Sequence, residues 1–218
     1  MRSLTYRALL LTLFVVVGAI GAGCNSIPAP PPYLLGTDMT QRMSTSGGEL
    51  HFGGALSTFT SAADVGFSVQ TSRNIALGLD GYGIFGYGYG GRAALRANPI
   101  GDHIAFVFGA GGGGMAGSGV AFGTLDAGAI AGIGGPRDLF HLNLGASVAQ
   151  SFTFGVDRHV DPTLYGIAQA SLWIGPPQIF SVGITGTFTV YTDLRANYTY
   201  WLPGGAITFR IPLNDHGP

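Results

Sequence analysis

Glu49, His51, Ser57, His141 and Ser147 are the residue types that an acyl hydrolase uses: a hydroxyl nucleophile, an imidazole base and a carboxylate to orient it. All five lie on the polar parity of segments that alternate apolar and polar residues, so they share one face of the strands those segments build. Asp64, Asp80 and Asp126 are scattered carboxylates of the kind an acid protease needs, without a spacing that joins them. Asp157, His159 and Asp161 stand at alternate positions and offer oxygen and imidazole ligands for a weakly held divalent ion. Gly109–Gly114 matches G-x-G-x-x-G in form. No helical pattern follows it, and the chain contains no lysine for a phosphate loop. The simpler reading is adopted for each: polar fill inside a barrel, a solvated loop at 156–161, and glycines that let strands approach closely. No catalytic residue, metal site or cofactor is assigned.

The elements that would position these residues are strands. In Leu139–Phe154, residues Phe140, Leu142, Leu144, Ala146, Val148, Phe152 and Phe154 share one parity, broken only by Gln150. His141, Asn143, Gly145, Ser147, Ala149, Ser151 and Thr153 share the other. A period of two over this length predicts a strand long enough to cross a bilayer at a tilt, which takes roughly 9–11 residues. The same alternation recurs in 48–59, 64–71, from Ile75, in 85–96, from Ile104, in 120–134, 164–174 and 180–190, and from Ile207. Short turns are predicted at 71–74, 98–102, 134–138 and 175–178. Longer loops are predicted at 60–63, 115–119, 156–161 and 192–205. The last is the longest, and it exposes Tyr198, Tyr200 and Trp201. The expected fold is all-β: an antiparallel up-and-down transmembrane barrel of about ten strands, with eight as the alternative.

Composition agrees. Only 10% of the residues are charged while 46% are hydrophobic, against about 25% charged in an ordinary soluble domain. Past the N-terminus no apolar run approaches the roughly 20 residues of a membrane helix. A net charge of −1 argues against a nucleic-acid partner. With the apolar parity facing lipid, the expected polar network of the lumen is Glu49, His51, Asp80, Arg92, Arg96, Asp126, His141 and Arg210. Buried charges persist only when paired, so some of these arginines should meet Glu49, Asp80 or Asp126. Tyr33, Tyr82, Trp173, Tyr191, Tyr198 and Trp201, near strand ends, suit the aromatic belts of a membrane protein.

Residues 1–23 read as a secretory signal: Arg2 and Arg7, an apolar stretch from Ala8 to Ile20, then Gly21-Ala22-Gly23. Cys24, the one cysteine, follows directly, so no intrachain disulfide is expected. Gly21-Ala22-Gly23-Cys24 resembles the bacterial lipobox. That resemblance implies cleavage before Cys24, acylation of its thiol and, with Asn25 next, transfer to the outer membrane of a Gram-negative-type bacterium. Gly21 departs from the leucine usual there. Residues 24–46 would be the anchor and a proline-rich tether (SIPAPPPY, 26–33), 47–213 the barrel and 214–218 a tail. An even strand number places both barrel termini on the side of such an anchor.

Over 47–213 the pattern resembles the small outer-membrane β-barrel proteins. Members serve as structural anchors, narrow pores, or adhesion and recognition surfaces, and occasionally as lipid-modifying enzymes or proteases. Many end on an aromatic that the assembly machinery reads, whereas here Phe209 is followed by IPLNDHGP. The implied function is a lipid-anchored outer-membrane barrel with a structural or surface-recognition role and no catalysis, its partners being outer-membrane lipid and the acyl chains on Cys24. The alternatives are an acyl-hydrolase barrel using His51 or His141, and a soluble periplasmic lipoprotein with its apolar parity turned inward around an apolar ligand.

Overall fold

The computed structural model describes residues 48–57, 61–86, 88–117, 119–134, 139–154, 160–176, 179–193 and 198–213. Cys24, Asn25, Tyr33, the tether and the tail lie outside the described residues. Ten strands follow one another: β1 (Gly48–Ser57), β2 (Ser61–Ser72), β3 (Ile75–Ile84), β4 (Gly88–Ile100), β5 (Ile104–Met115), β6 (Ala121–Ile133), β7 (Phe140–Phe154), β8 (Val160–Ile174), β9 (Ser181–Asp193) and β10 (Tyr198–Leu213). Each pairs antiparallel with its neighbours in sequence, and β10 pairs with β1. The sheet therefore closes as a ten-stranded up-and-down barrel.

The registers fix its shape. The row of paired residues that leaves β10 at Arg210 passes through His51, Gly66, Asp80, Arg92, Gly111, Thr124, Ser151, Thr163 and Asp193. It returns to β10 at Tyr198, a stagger of 12 residues. For ten strands this tilts each strand by roughly 40° and leaves an interior that side chains fill.

Burial alternates as the sequence pattern requires. Leu77, Leu79, Leu125, Ile133, Phe140, Leu144, Val148 and Ile184 are exposed on the outside, while Asp80, Arg92, Asp126, His141 and Arg210 are buried inside. The apolar parity faces outward, so the arrangement with a greasy interior and a charged exterior is excluded. Among the described side chains no Asp, Glu, Arg or His faces outward from a strand. The exposed ones, Arg73 and His103, both lie in turns.

Several expectations are corrected. Tyr82, Trp173 and Tyr191 do not form an outer belt: each shares the inward parity of its strand and is almost fully buried. Trp201 does face outward, 62% exposed and tilted against Phe188 at 5.2 Å. The stretch 192–205 is not a long loop. Thr192 and Asp193 end β9 and Tyr198–Gly205 open β10, with Tyr200 opposite Tyr191 and Trp201 opposite Val190. Likewise Asp161 belongs to β8 and pairs with Thr153, while Asp157 and His159 lie outside the described residues. Phe85 and Gly86 turn the chain between β3 and β4 rather than opening a strand, Gly86 at a φ of 71° that glycine adopts without a Cβ clash. As a result, connections are short at both ends, and the expected contrast between tight turns and long loops is absent.

Two layers fill the interior. Near the end opposite the termini, Tyr82, Ile84, Phe122, Tyr165, Ile167 and Tyr191 cluster with Ala62 and Ala149, and Met115 packs against them. Toward the termini the fill is polar. Because β10 starts at Tyr198, those amides of 198–203 that face β9 should exchange with deuterated water as slowly as those of β9 itself. Exchange within the dead time of the measurement would restore a loop there.

Candidate functional site in the barrel lumen

The polar fill is built on the register row described above. Arg210, His51, Gly66, Asp80 and Arg92 stand side by side on β10, β1, β2, β3 and β4. Neighbouring strands lie about 4.8 Å apart, so His51 and Asp80 are two strands from each other. They meet above Gly66, where a Cβ would run into both the imidazole and the carboxylate. His51 Nε2 lies 2.7 Å from Asp80 Oδ1. Gly109 plays the same part higher up, since a Cβ there would strike Arg92 Nε and the Asp126 carboxylate. Arg92 donates to Asp126 through Nε at 3.1 Å and Nη2 at 2.5 Å, and its Nη1 lies 3.7 Å from Asp80 Oδ2. This two-pronged contact matches the planar guanidinium to the planar carboxylate.

At the terminus end Glu49 pairs with Arg210 across the β1–β10 seam and accepts a hydrogen bond from Ser68 Oγ at 3.1 Å. The guanidinium of Arg210 also sits 5.6 Å from the centre of the Trp173 ring, a cation–π contact inside the barrel. Glu49, His51, Ser68, Ala76, Asp80 and Arg96 line a cavity of about 30 Å³, room for a water molecule. His141 is buried on the far wall, opposite Trp173 in register, with Asn143 donating to Ser171 Oγ at 3.3 Å beside it. All eight candidates for the lumen network are thus buried. Six of them, Glu49, His51, Asp80, Arg92, Asp126 and Arg210, are joined by ion pairs. Arg96 lines the shared cavity, and His141 lies on β7, opposite Trp173 in register.

Asp64 belongs with them. It is buried on β2, two residues from Gly66, and its Oδ2 makes no hydrogen bond. Its even parity, shared with Gly66 and Ser68, was the signal in the sequence.

This geometry does not assemble a hydrolase. The imidazole of His51 is engaged by Asp80, and Ser57 lies six residues further along β1, roughly 20 Å away at strand rise. Ser147 is on β7, on the opposite wall. Asp80 and Asp126 are each tied to Arg92 and do not form a paired-acid centre. Gly109–Gly114 runs inside β5, paired on both sides, and forms no phosphate cradle. Among the described residues no group of three His, Cys, Asp or Glu is arranged to hold a metal ion. The arrangement can hold protons and charge within the wall.

No protein-family model matches the chain, and no curated protein matches it. Solved structures with a similar course include Neisserial surface protein A, at 10% identity over 76% of this chain and 97% of that one, with a TM-score of 0.43. The N-terminal β-barrel domain of Pseudomonas aeruginosa OprF is 12% identical over 76% and 98%, with a TM-score of 0.37. Ail, the attachment invasion locus protein of Yersinia pestis, is 11% identical over 78% and 100%, with a TM-score of 0.35. No functional residue is carried over from them.

Replacing Arg92 with Leu leaves Asp126 without its guanidinium in a buried site. Breaking such a pair from one side costs about 3–5 kcal/mol. Equilibrium denaturation of the barrel in detergent should show Arg92→Leu weakened by that order. A variant as stable as the parent would mean that the pair does not hold the wall.

Proposed function

We propose that this protein is an outer-membrane β-barrel whose role is structural, held in the membrane by its strands and by acyl chains on Cys24. The observation that supports this most is the sorting of charge. Every charged side chain described on a strand points into the lumen, and the outside is mostly Leu, Ile, Val, Phe, Ala and Gly, with Tyr89 and Trp201 among the exposed aromatics and no charge. A water-facing exterior of that kind would be one contiguous apolar patch far larger than soluble monomers tolerate. In lipid the same surface is the favoured one, and closure leaves no unpaired strand edge. From Phe140 to Phe154 the outer face of β7 covers roughly 35 Å along the barrel axis at strand rise and a 40° tilt, enough for an apolar band of about 25 Å.

The even strand number brings Gly48 and Leu213 together at one end. A lipid on Cys24, reached through the proline-rich tether, would hold that end at the inner leaflet. The anchor rests on the lipobox-like residues alone. A structural role fits better than recognition through loops, because the connections at the far end are as short as the turns near the termini. It also fits better than catalysis, because His51 is committed to Asp80. An interior occupied by ion pairs and an aromatic cluster leaves no wide channel.

Extraction and gel mobility test the proposal. The protein should require detergent to stay monodisperse and should migrate faster unheated than boiled. Cys24→Ser should abolish incorporation of labelled palmitate while leaving the barrel's heat-dependent mobility intact. Val148→Arg, outward on β7 near mid-height, should cost about 2–4 kcal/mol of stability in lipid. A cleaved, unacylated protein that is monodisperse without detergent would overturn the membrane reading.

A further inference from the structure

On the strands, among the described side chains, four carboxylates are buried in the lumen, Glu49, Asp64, Asp80 and Asp126, against the three guanidinium groups of Arg92, Arg96 and Arg210, while Asp102 is buried in the turn before β5. Glu49 has Arg210, and Asp126 has the two-pronged contact with Arg92. Asp80 has only the far edge of that same Arg92, at 3.7 Å, so its near partner is the His51 ring at 2.7 Å. The charges of these strand groups balance when that ring carries a proton. His51 is surrounded by Glu49 on its own strand, Asp64 and Ser68 on β2, Asp80 on β3, Arg92 and Arg96 on β4, and Arg210 opposite it on β10. The small cavity bounded by Glu49, His51, Ser68, Asp80 and Arg96 lies toward the terminus end and gives room for a water molecule beside the ring.

We propose that His51 and Asp80 form a proton-operated latch that ties β1 to β3 across Gly66 and sets how firmly the barrel is held at its terminus end. With the ring protonated, the contact is an ion pair in a site of low polarity. Without the proton, Asp80 shares one guanidinium with Asp126, and Asp64 adds a further uncompensated carboxylate beside it. The lumen then carries an excess of negative charge next to the β1–β10 seam, and the wall loosens. The latch is independent of whether Cys24 is acylated and of the role assigned to the barrel.

The experiment is unfolding of the full chain, in detergent or in liposomes, at one guanidinium concentration across the window in which imidazole changes charge, about pH 5 to about pH 8. The parent should unfold about tenfold faster at the upper end, the size of effect that one 1.4 kcal/mol contact carries. His51→Gln should remove most of that dependence, whereas Asp64→Asn, which leaves the His51–Asp80 contact but removes the neighbouring carboxylate, should keep it with a smaller amplitude. Should His51→Gln fail to fold, histidine-labelled parent protein serves instead. The His51 ring resonance should then titrate in that window, with β1 and β3 amide shifts moving in step. The proposal fails if the parent rate is flat with pH. It fails equally if Asp64→Asn abolishes the dependence while His51→Gln keeps it, or if the His51 ring does not titrate together with β1 and β3.

Discussion

Glu49 on the first strand and Arg210 on the last meet across the seam, 161 residues apart in the chain. Everything else in the barrel depends on that seam closing. A strand edge left open in hydrocarbon has unsatisfied N–H and C=O groups at several kcal/mol each. The seam is fastened on both faces. Inside are Glu49, Arg210 and Ser68, with Trp173 beneath the guanidinium. Outside, Phe52 and Phe209 stand opposite in register and stack at 5.2 Å, with Phe180 stacked on Phe209 at 6.0 Å. Pairing of the first strand with the last closes the longest loop in the barrel and so carries its largest loop-closure entropy.

The second constraint is room. An interior this narrow cannot hold long side chains on every strand. Where a large or charged group crosses the lumen, the strand beneath it supplies glycine: Gly66 under His51 and Asp80, Gly109 under Arg92 and Asp126, Gly183 under Trp173. Glycine therefore serves here to make space within a ladder and not to bind phosphate. The same economy explains why a chain with so few charges places them inside, where paired charge and hydroxyls satisfy one another and the outside stays free for lipid.

Much of this was legible in the sequence, because a period of two is local. The parity of Phe140–Phe154, of Ile75–Leu79 and of Arg92 and Arg96 assigned inside and outside residue by residue, and ten strands followed from the turns. What the alternation cannot carry is where a strand stops. Thr192–Gly205 has the composition of a loop, yet pairing with β9 makes Tyr198–Gly205 the opening of β10. Phe85 and Gly86 continue the alternation, yet the chain turns there on a positive φ that leaves no mark in the pattern. Tyr82, Trp173 and Tyr191 read as belt residues from type and position, but their parity already placed them inward, and parity wins over residue type. Which charges meet was beyond reach, because register decides it: Asp80 reaches both His51 and Arg92 only because β3 lies where it does.

The central claim is that the apolar parity faces lipid and the polar parity a sealed interior. Single spin labels placed along β7, from Phe140 to Phe154, in the protein reconstituted in liposomes test it directly. Collision with dissolved oxygen should rise at the even positions and fall at the odd ones, while a water-soluble nickel chelate should reach neither set in the middle of the strand. Nickel access at Leu144 and Val148 equal to that at a turn residue such as Arg73 would contradict the account.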